Sequence, residues 1–295
     1  MTTDAPSSDV QFTHYLSLAS SSKSDTQRRD ALSFLASKIA AQPVDSTIPV
    51  SSAAVILPKL LPLILDGSAS VRSQLQKLLR LLPAKDIAER AESALLYVRA
   101  GMTHLAVDIR NDAVLSLEWL LENAREEVVT CPGGWVKTLK AFMSMMGWTI
   151  SSGATKWTSS CNISFGKAGK AFPKQLMVLA QFLQAGLGSH VVENEFRRGR
   201  HFPLWDLEVH MVPSESNPYA HLNLFGPGRD EDGEMYTERD ARRRVFASRF
   251  QVVVNNGIDG AKKEGGEVGR AAAVLGRVLK DSMTDYMVIG DPSEG

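Results

Sequence analysis

Three stretches of this chain align without gaps: Thr26-Gln27-Arg28-Arg29-Asp30-Ala31, Ser70-Val71-Arg72-Ser73-Gln74-Leu75 and Asp108-Ile109-Arg110-Asn111-Asp112-Ala113. Each begins with a residue whose side-chain oxygen can accept from an orphan amide of a first helical turn, so Thr26, Ser70 and Asp108 are read as N-caps. Arginine follows two positions later. Ala or Leu stands at offset five, Leu at offset nine, and an apolar residue at offset twelve or thirteen. That is the stripe of an amphipathic helix. A helix pair with one apolar face cannot bury that face alone. The chain is therefore constrained to stack its pairs, which leaves a long surface suited to other macromolecules.

The arginines lie 44 residues apart (Arg28 to Arg72) and then 38 (Arg72 to Arg110). Periods of this size belong to helical repeats of HEAT or armadillo type. The stretches between fit first helices of the pairs. Val55 to Leu65 puts Leu57, Leu60, Leu61, Ile64 and Leu65 on one face, with Pro58 in its first turn and a kink at Pro62. Lys85 to Met102 turns Ile87, Ala91, Leu95, Val98 and Met102 inward. Trp135 to Trp148 and Phe172 to Leu187 form a further pair. The expected fold is all-α: a HEAT/armadillo-like α-solenoid over 11–187, with a long basic loop at 149–170. An irregular extended insertion at 188–234 precedes two C-terminal helices within 235–282. Residues 1–10 and 283–295 are expected to be loose.

With 295 residues and 44% hydrophobic composition, the chain can bury an extended core. Two cysteines, Cys131 and Cys161, do not make a disulfide framework. No long apolar run or signal peptide is present, so a soluble intracellular protein with no membrane partner is expected. Lys and Arg balance Asp and Glu at 33 each. The balance hides a local bias, because Val128 to Val192 contains no acid and six lysines: Lys137, Lys140, Lys156, Lys167, Lys170 and Lys174. Arg197, Arg198 and Arg200 follow. Such separation predicts a positive face on a neutral protein.

Several features invite a functional reading. Arg28, Arg72 and Arg110 are expected to be structural, each reaching an acid of a neighbouring repeat such as Asp66 or Asp108. Gly166 to Lys170 resembles a phosphate-binding loop only superficially, since Ala171 replaces the required hydroxyl residue and no strand precedes it. This basic loop fits two roles: contact with RNA or an acidic partner through Lys156, Trp157, Lys167 and Lys170, or a solvated linker. Arg197, Arg198 and Arg200 extend the candidate contacts. His201, His210 and His221 match no common zinc spacing. Cys131 has no positioned base beside it. Trp119 and Trp148 fall on core faces. The arginines at 239, 242, 243, 244 and 249 form a phosphate-facing stripe or a solvated face. No catalytic constellation, metal site or cofactor motif is evident.

The wording from 97 to 148 is more specific. Val98-Arg99-Ala100-Gly101-Met102-Thr103-His104-Leu105, Asp108-Ile109-Arg110, Glu118-Trp119-Leu120-Leu121-Glu122 and Cys131-Pro132-Gly133-Gly134-Trp135-Val136-Lys137 occur in order. Together they resemble the pre-rRNA-processing HEAT-repeat subunit of the Rix complex, a family that includes the animal testis-expressed HEAT-repeat protein. Glu264 to Ala271 resembles the fungal branch. The resemblance implies a non-catalytic scaffold in large-subunit maturation and removal of the second internal transcribed spacer. It further implies partners: a helical subunit, a WD-repeat propeller subunit, pre-large-subunit ribosomal particles and the midasin AAA ATPase. Direct ribosomal RNA contact and a nuclear location, in nucleolus and nucleoplasm, belong to the same expectation. Family members open on a lysine-rich leader where this chain has a Thr/Ser segment. Without such a leader, nuclear entry and part of the RNA contact would fall to partners. Two competing functions remain at this point: a transport or chromatin adaptor built on the same array, and an enzyme with a site in 188–234.

Overall fold

The computed structural model describes residues 8–41, 53–148, 171–188 and 230–284. Among these, thirteen α-helices and two short 3-10 turns form the fold, and no strand occurs. Helices α1 (Ser8–Ser21) and α2 (Asp25–Ala40) make the first pair. Helix α3 (Ala53–Leu60), extended by a 3-10 turn (Leu61–Leu65), pairs with α4 (Ala69–Leu79). The change of helix type at Leu61 is the kink expected from Pro62. Pro58 lies inside α3 rather than in its first turn. The stretch expected as one helix from Lys85 breaks at Arg90 into α5 (Ala84–Ala88) and α6 (Ala91–Met102). Helix α6 pairs with α7 (Val107–Asn123).

The short α8 (Arg125–Thr130) leads to α9 (Val136–Met146), which precedes α10 (Phe172–Leu187). From Met235 on there are three helices rather than two. They are α11 (Arg239–Arg249), α12 (Gln251–Glu264) and α13 (Gly266–Met283), with a break at Phe250. The first helix begins at Ser8, inside the stretch expected to be loose.

The helices stack in two layers. Helices α2, α4, α7, α10 and α13 pack in succession to make one layer. The other layer runs through α1, α3, α6 and α9, and Trp148 at the end of α9 then meets Gly257 of α12. One hydrophobic core runs between the layers from Phe12 to Leu279. The repeat positions read from sequence fall there. Ala31, Leu75 and Ala113 at offset five are buried, as are Leu35, Leu79 and Leu117 at offset nine.

The repeated arginine has a second structural role besides the expected reach to a neighbouring acid. Helices α2, α4 and α7 start after Ser24, Ser68 and Ala106, which have extended backbones and make no side-chain cap bond. Thr26, Ser70 and Asp108 are thus inside the first turn. The arginine is the fourth helical residue each time and reaches back to the preceding turn. Arg28 Nη1 donates to Ser22 O at 2.8 Å. Arg72 Nη1 donates to Asp66 O at 2.7 Å and Gly67 O at 3.1 Å. Arg110 Nη1 donates to His104 O at 2.7 Å and Leu105 O at 2.9 Å. One guanidinium therefore satisfies carbonyls of the turn between the paired helices, which otherwise need water.

Two of the three rungs are joined. Asp66 gives its carbonyl to Arg72 and its carboxylate to Arg28, whose Nη2 donates to Oδ1 at 3.1 Å. Arg28 Nε lies 2.9 Å from Oδ2 but is not aligned to bond it, so the pair rests on one hydrogen bond. Arg72 in turn donates Nε to Asp112 Oδ2 at 2.7 Å, reaching into α7. The acid that meets Arg72 is therefore Asp112, not Asp108. Arg110 bonds carbonyls alone among the described residues. The fourth residue of α10 is Gln175, which donates Nε2 to Asn111 Oδ1 of α7 at 3.1 Å. A neutral bond continues the ladder there.

Candidate interaction surface

The turn from Cys131 to Trp135 gathers four helices. Gly134 N donates to Cys131 O at 2.8 Å and closes the turn. A Cβ on Gly134 would stand 2.3 Å from Val128 O, so only glycine fits. Trp135 is fully buried. Its ring stacks on Phe182 of α10, centroids 5.1 Å apart, and tilts against Phe246 of α11 at 6.4 Å. Its Nε1 donates to Arg242 O at 3.2 Å. The ring lies directly on the Gly186 backbone, where a Cβ would approach Cζ3 to 2.1 Å. From α6, Arg99 donates Nη1 to Gly133 O at 2.7 Å.

Arg242 completes the junction. It is the fourth residue of α11 and donates Nη1 to Tyr236 O and Thr237 O, both at 2.8 Å. These carbonyls stand in the same offsets as those bonded by Arg72 and Arg110. Its Nε donates to Gly186 O at 2.8 Å. Arg242 and Arg243 are buried, and Arg239 Nε donates to Leu187 O at 2.7 Å. The arginines at 239, 242 and 243 thus form neither a phosphate-facing stripe nor a solvated face, whereas Arg244 is exposed and Arg249 is half-buried and turned to Asp232. Arg242 was legible only as Asp240-x-Arg242, which repeats Asp108-x-Arg110. The apolar stripe behind it is shifted by one residue, to Phe246 and Phe250.

The segment 230–234 lies across α9. Gly133 N donates to Glu234 O at 3.2 Å. Asp230 accepts from Gly233 N at 3.1 Å and shapes the 3-10 turn Glu231–Gly233. Lys137 Nζ donates to Asp230 Oδ2 at 2.7 Å. Asp232 receives Lys140 Nζ on Oδ2 and Arg249 Nη2 on Oδ1, the latter at 2.7 Å. The Lys137 ammonium holds the Asp230 carboxyl below the usual carboxylate range, and Lys140, joined by Arg249, does the same for Asp232. Both acids are therefore ionised at neutral pH. On the far side, Lys174 Nζ donates to Glu118 Oε1 at 2.5 Å.

These pairs neutralise the described part of the expected positive face. The three described lysines of the acid-free span each meet an acid brought from elsewhere in the chain. Lys156, Trp157, Lys167, Lys170, Arg197, Arg198 and Arg200 lie outside the described residues, as do the three histidines at 201, 210 and 221 and the loop at 149–170. Trp119 and Trp148 are in the core. Burial pushes the Cys131 thiol up to about 11, so it is a neutral packing group at physiological pH. Among the described residues no group of acids, histidines and cysteines is placed to hold a metal, and no helix is long and apolar enough to cross a membrane.

Comparison with known proteins places this geometry. Residues 85–183, which hold the Cys131–Trp135 turn and its α6 and α10 partners, match the family described as a Rix1 complex component involved in 60S ribosome maturation. A pre-rRNA-processing protein ipi1 of Sclerotinia sclerotiorum is 62% identical over 99% of this chain and 86% of that protein. Those of Neosartorya fischeri and Chaetomium thermophilum are 52% and 46% identical, over 95% and 96% of this chain and 83% of each relative. A chain of the Rix1-Rea1 pre-60S particle superposes with a TM-score of 0.48 at 19% identity, covering 75% of this chain and 83% of that one. That likeness is too distant to transfer residues. The sequence relatives, matched nearly end to end, settle the assignment: this chain belongs to the fungal Ipi1 family of pre-rRNA-processing proteins.

Proposed function

We propose that this chain is a non-catalytic scaffold of the Rix1 complex, acting in the nucleus on pre-60S particles during removal of the second internal transcribed spacer. The observation that carries the reading is near full-length identity of 62% to a pre-rRNA-processing protein. The two-layer array supports it, because stacked pairs present long edges and faces to partners. Its partners are the other Rix-complex subunits, one helical and one a WD-repeat propeller, together with the pre-ribosome and midasin. Lys156, Trp157, Lys167, Lys170, Arg197, Arg198 and Arg200 are the proposed contacts to RNA or an acidic partner.

Affinity purification of the tagged chain with sequencing of bound RNA tests this. Large-subunit precursors retaining the second spacer are expected, and depletion of the chain should make them accumulate. Enrichment of histones or transport factors without precursor RNA would favour the adaptor reading instead. Replacing Lys156, Lys167 and Lys170 by Glu should weaken association with the particle at unchanged melting temperature. Association that survives the change removes these lysines from the interface.

A further inference from the structure

We infer that the outward face of α9, with Arg249 beside it, is an RNA-phosphate-binding surface that the acidic segment 230–234 covers in the isolated chain. The inference rests on the reading of the chain as a pre-ribosome component.

Lys137 and Lys140 are three residues apart and so share one face of α9. Arg249 arrives from the end of α11, close enough to share Asp232 with Lys140. Three cations from two helices thus converge on two carboxylates. Asp230 and Asp232 occupy them with oxygens at charge-assisted hydrogen-bond distance, 2.7 Å for Lys137 and for Arg249. A phosphate oxygen makes the same contact with the same donors. The covering segment therefore has the form of an internal competitor for an oxyanion ligand.

Two features make the cover displaceable. The first is exposure. The Lys137 and Asp230 side chains are 42% and 63% exposed, and those of Lys140 and Asp232 are 49% and 27% exposed. Water competes with such pairs, and they contribute little to stability. By contrast, Glu118 facing Lys174 is 12% exposed, and that lysine is held more firmly. The second feature is the anchoring. The segment is tied at its C-terminal side, by Gly133 N to Glu234 O and by the Arg242 bonds to Tyr236 O and Thr237 O. These bonds lie outside the Asp230–Asp232 contacts, so once the Tyr236 hydroxyl releases Glu231 O, to which it donates in an exposed bond of 3.2 Å, the acids can leave α9 while the junction below stays closed.

The test uses the full chain and a fluorescein-labelled single-stranded oligouridine, read by anisotropy across a salt series. Asp230→Asn/Asp232→Asn should bind more tightly than wild type. Three freed cations steepen the log–log salt slope by about 2, so the variant's affinity falls about 20-fold more than the wild type's between roughly 50 and 200 mM salt. Adding Lys137→Glu and Lys140→Glu to that variant should return binding to the wild-type level. An unchanged affinity on neutralising the acids overturns the inference, as does a gain that survives the lysine reversals. An oligoglutamate peptide competing as well as the RNA would assign the face to an acidic protein and overturn the phosphate reading. Melting of each variant by circular dichroism guards against loss of fold. Because the RNA is bare, the outcome is independent of whether the chain co-purifies with pre-ribosomes, which tests the proposed function separately.

Discussion

The arginine rungs differ in their partners, so truncating them should cost different amounts. Arg72 is 3% exposed and loses three hydrogen bonds on replacement by Ala: two from turn carbonyls and one from Asp112. Gly67 is exposed and Asp112 is 34% exposed, so water recovers part of that loss. Asp66 is half-buried, and loss of the arginine's aliphatic stem leaves a gap. With charged hydrogen bonds at roughly 1.5–3 kcal/mol each before rehydration, Arg72→Ala should cost about 3 kcal/mol. Arg110 has only its two carbonyls, one of them on the fully accessible Leu105, so Arg110→Ala should cost about 1 kcal/mol. Arg242→Ala removes three carbonyl bonds in a buried setting and should match or exceed Arg72→Ala. Urea unfolding by far-ultraviolet circular dichroism gives the ranking, and hydrogen exchange of the α4 and α7 amides reports the Arg72 site locally. A cycle with Asp112→Ala should show coupling of about 1 kcal/mol. Equal costs for Arg72→Ala and Arg110→Ala, or no coupling to Asp112, would refute the joined ladder.

Gly186→Ala tests the junction under Trp135. The added Cβ would fall 2.1 Å from the indole ring, so helix α10 must shift, at a cost of about 2–3 kcal/mol with loss of the Arg242–Gly186 bond. A variant as stable as wild type, measured by urea unfolding, would mean the ring moves freely. Cys131 tests the packing reading of the motif cysteine in a Cys161→Ser background. A thiol raised from 9.0 to about 11 has roughly a hundredfold less thiolate near pH 8, so iodoacetamide should label the folded chain far more slowly than the unfolded one. Rapid labelling of the folded chain would instead mark an activated thiol. The sign of its pH effect follows from the raised value. Its contribution to stability is complete below the ordinary thiol range and falls as pH rises from 9.0 toward about 11.

The second-layer helices were readable because their signal is local. Ala or Leu at offset five and Leu at offset nine lie within one helix, and all six are buried. Helix starts were misplaced for a local reason too. Ser, Thr and Asp favour both the cap and the first turn, and the actual caps at Ser24 and Ser68 make no side-chain bond that would single them out. What could not be read was the return of distant chain. Lys137 and Lys140 stand in a stretch with no acid, yet their partners lie 93 and 92 residues further on. Composition over a window measures charge along the chain, whereas the field at a surface depends on what folds back over it.

The same separation explains the motif from Cys131 to Trp135. It was the most specific wording in the chain, and it invited a search for chemistry. Its glycines and tryptophan instead receive the chain's later parts: Gly133 binds Glu234, and Trp135 bonds Arg242, 107 residues away, while lying against Gly186 and Phe246. A turn used in this way tolerates few substitutions without containing a reacting group. Small residues admit neighbouring backbone, and one large ring fills the space between three helices. Specific wording in a stacked-helix protein therefore marks where layers are locked as readily as where a ligand sits. The surface above such a lock is a suitable place for a displaceable contact, because the acids over α9 can exchange partners while Trp135 and Arg242 hold the helices beneath them in place.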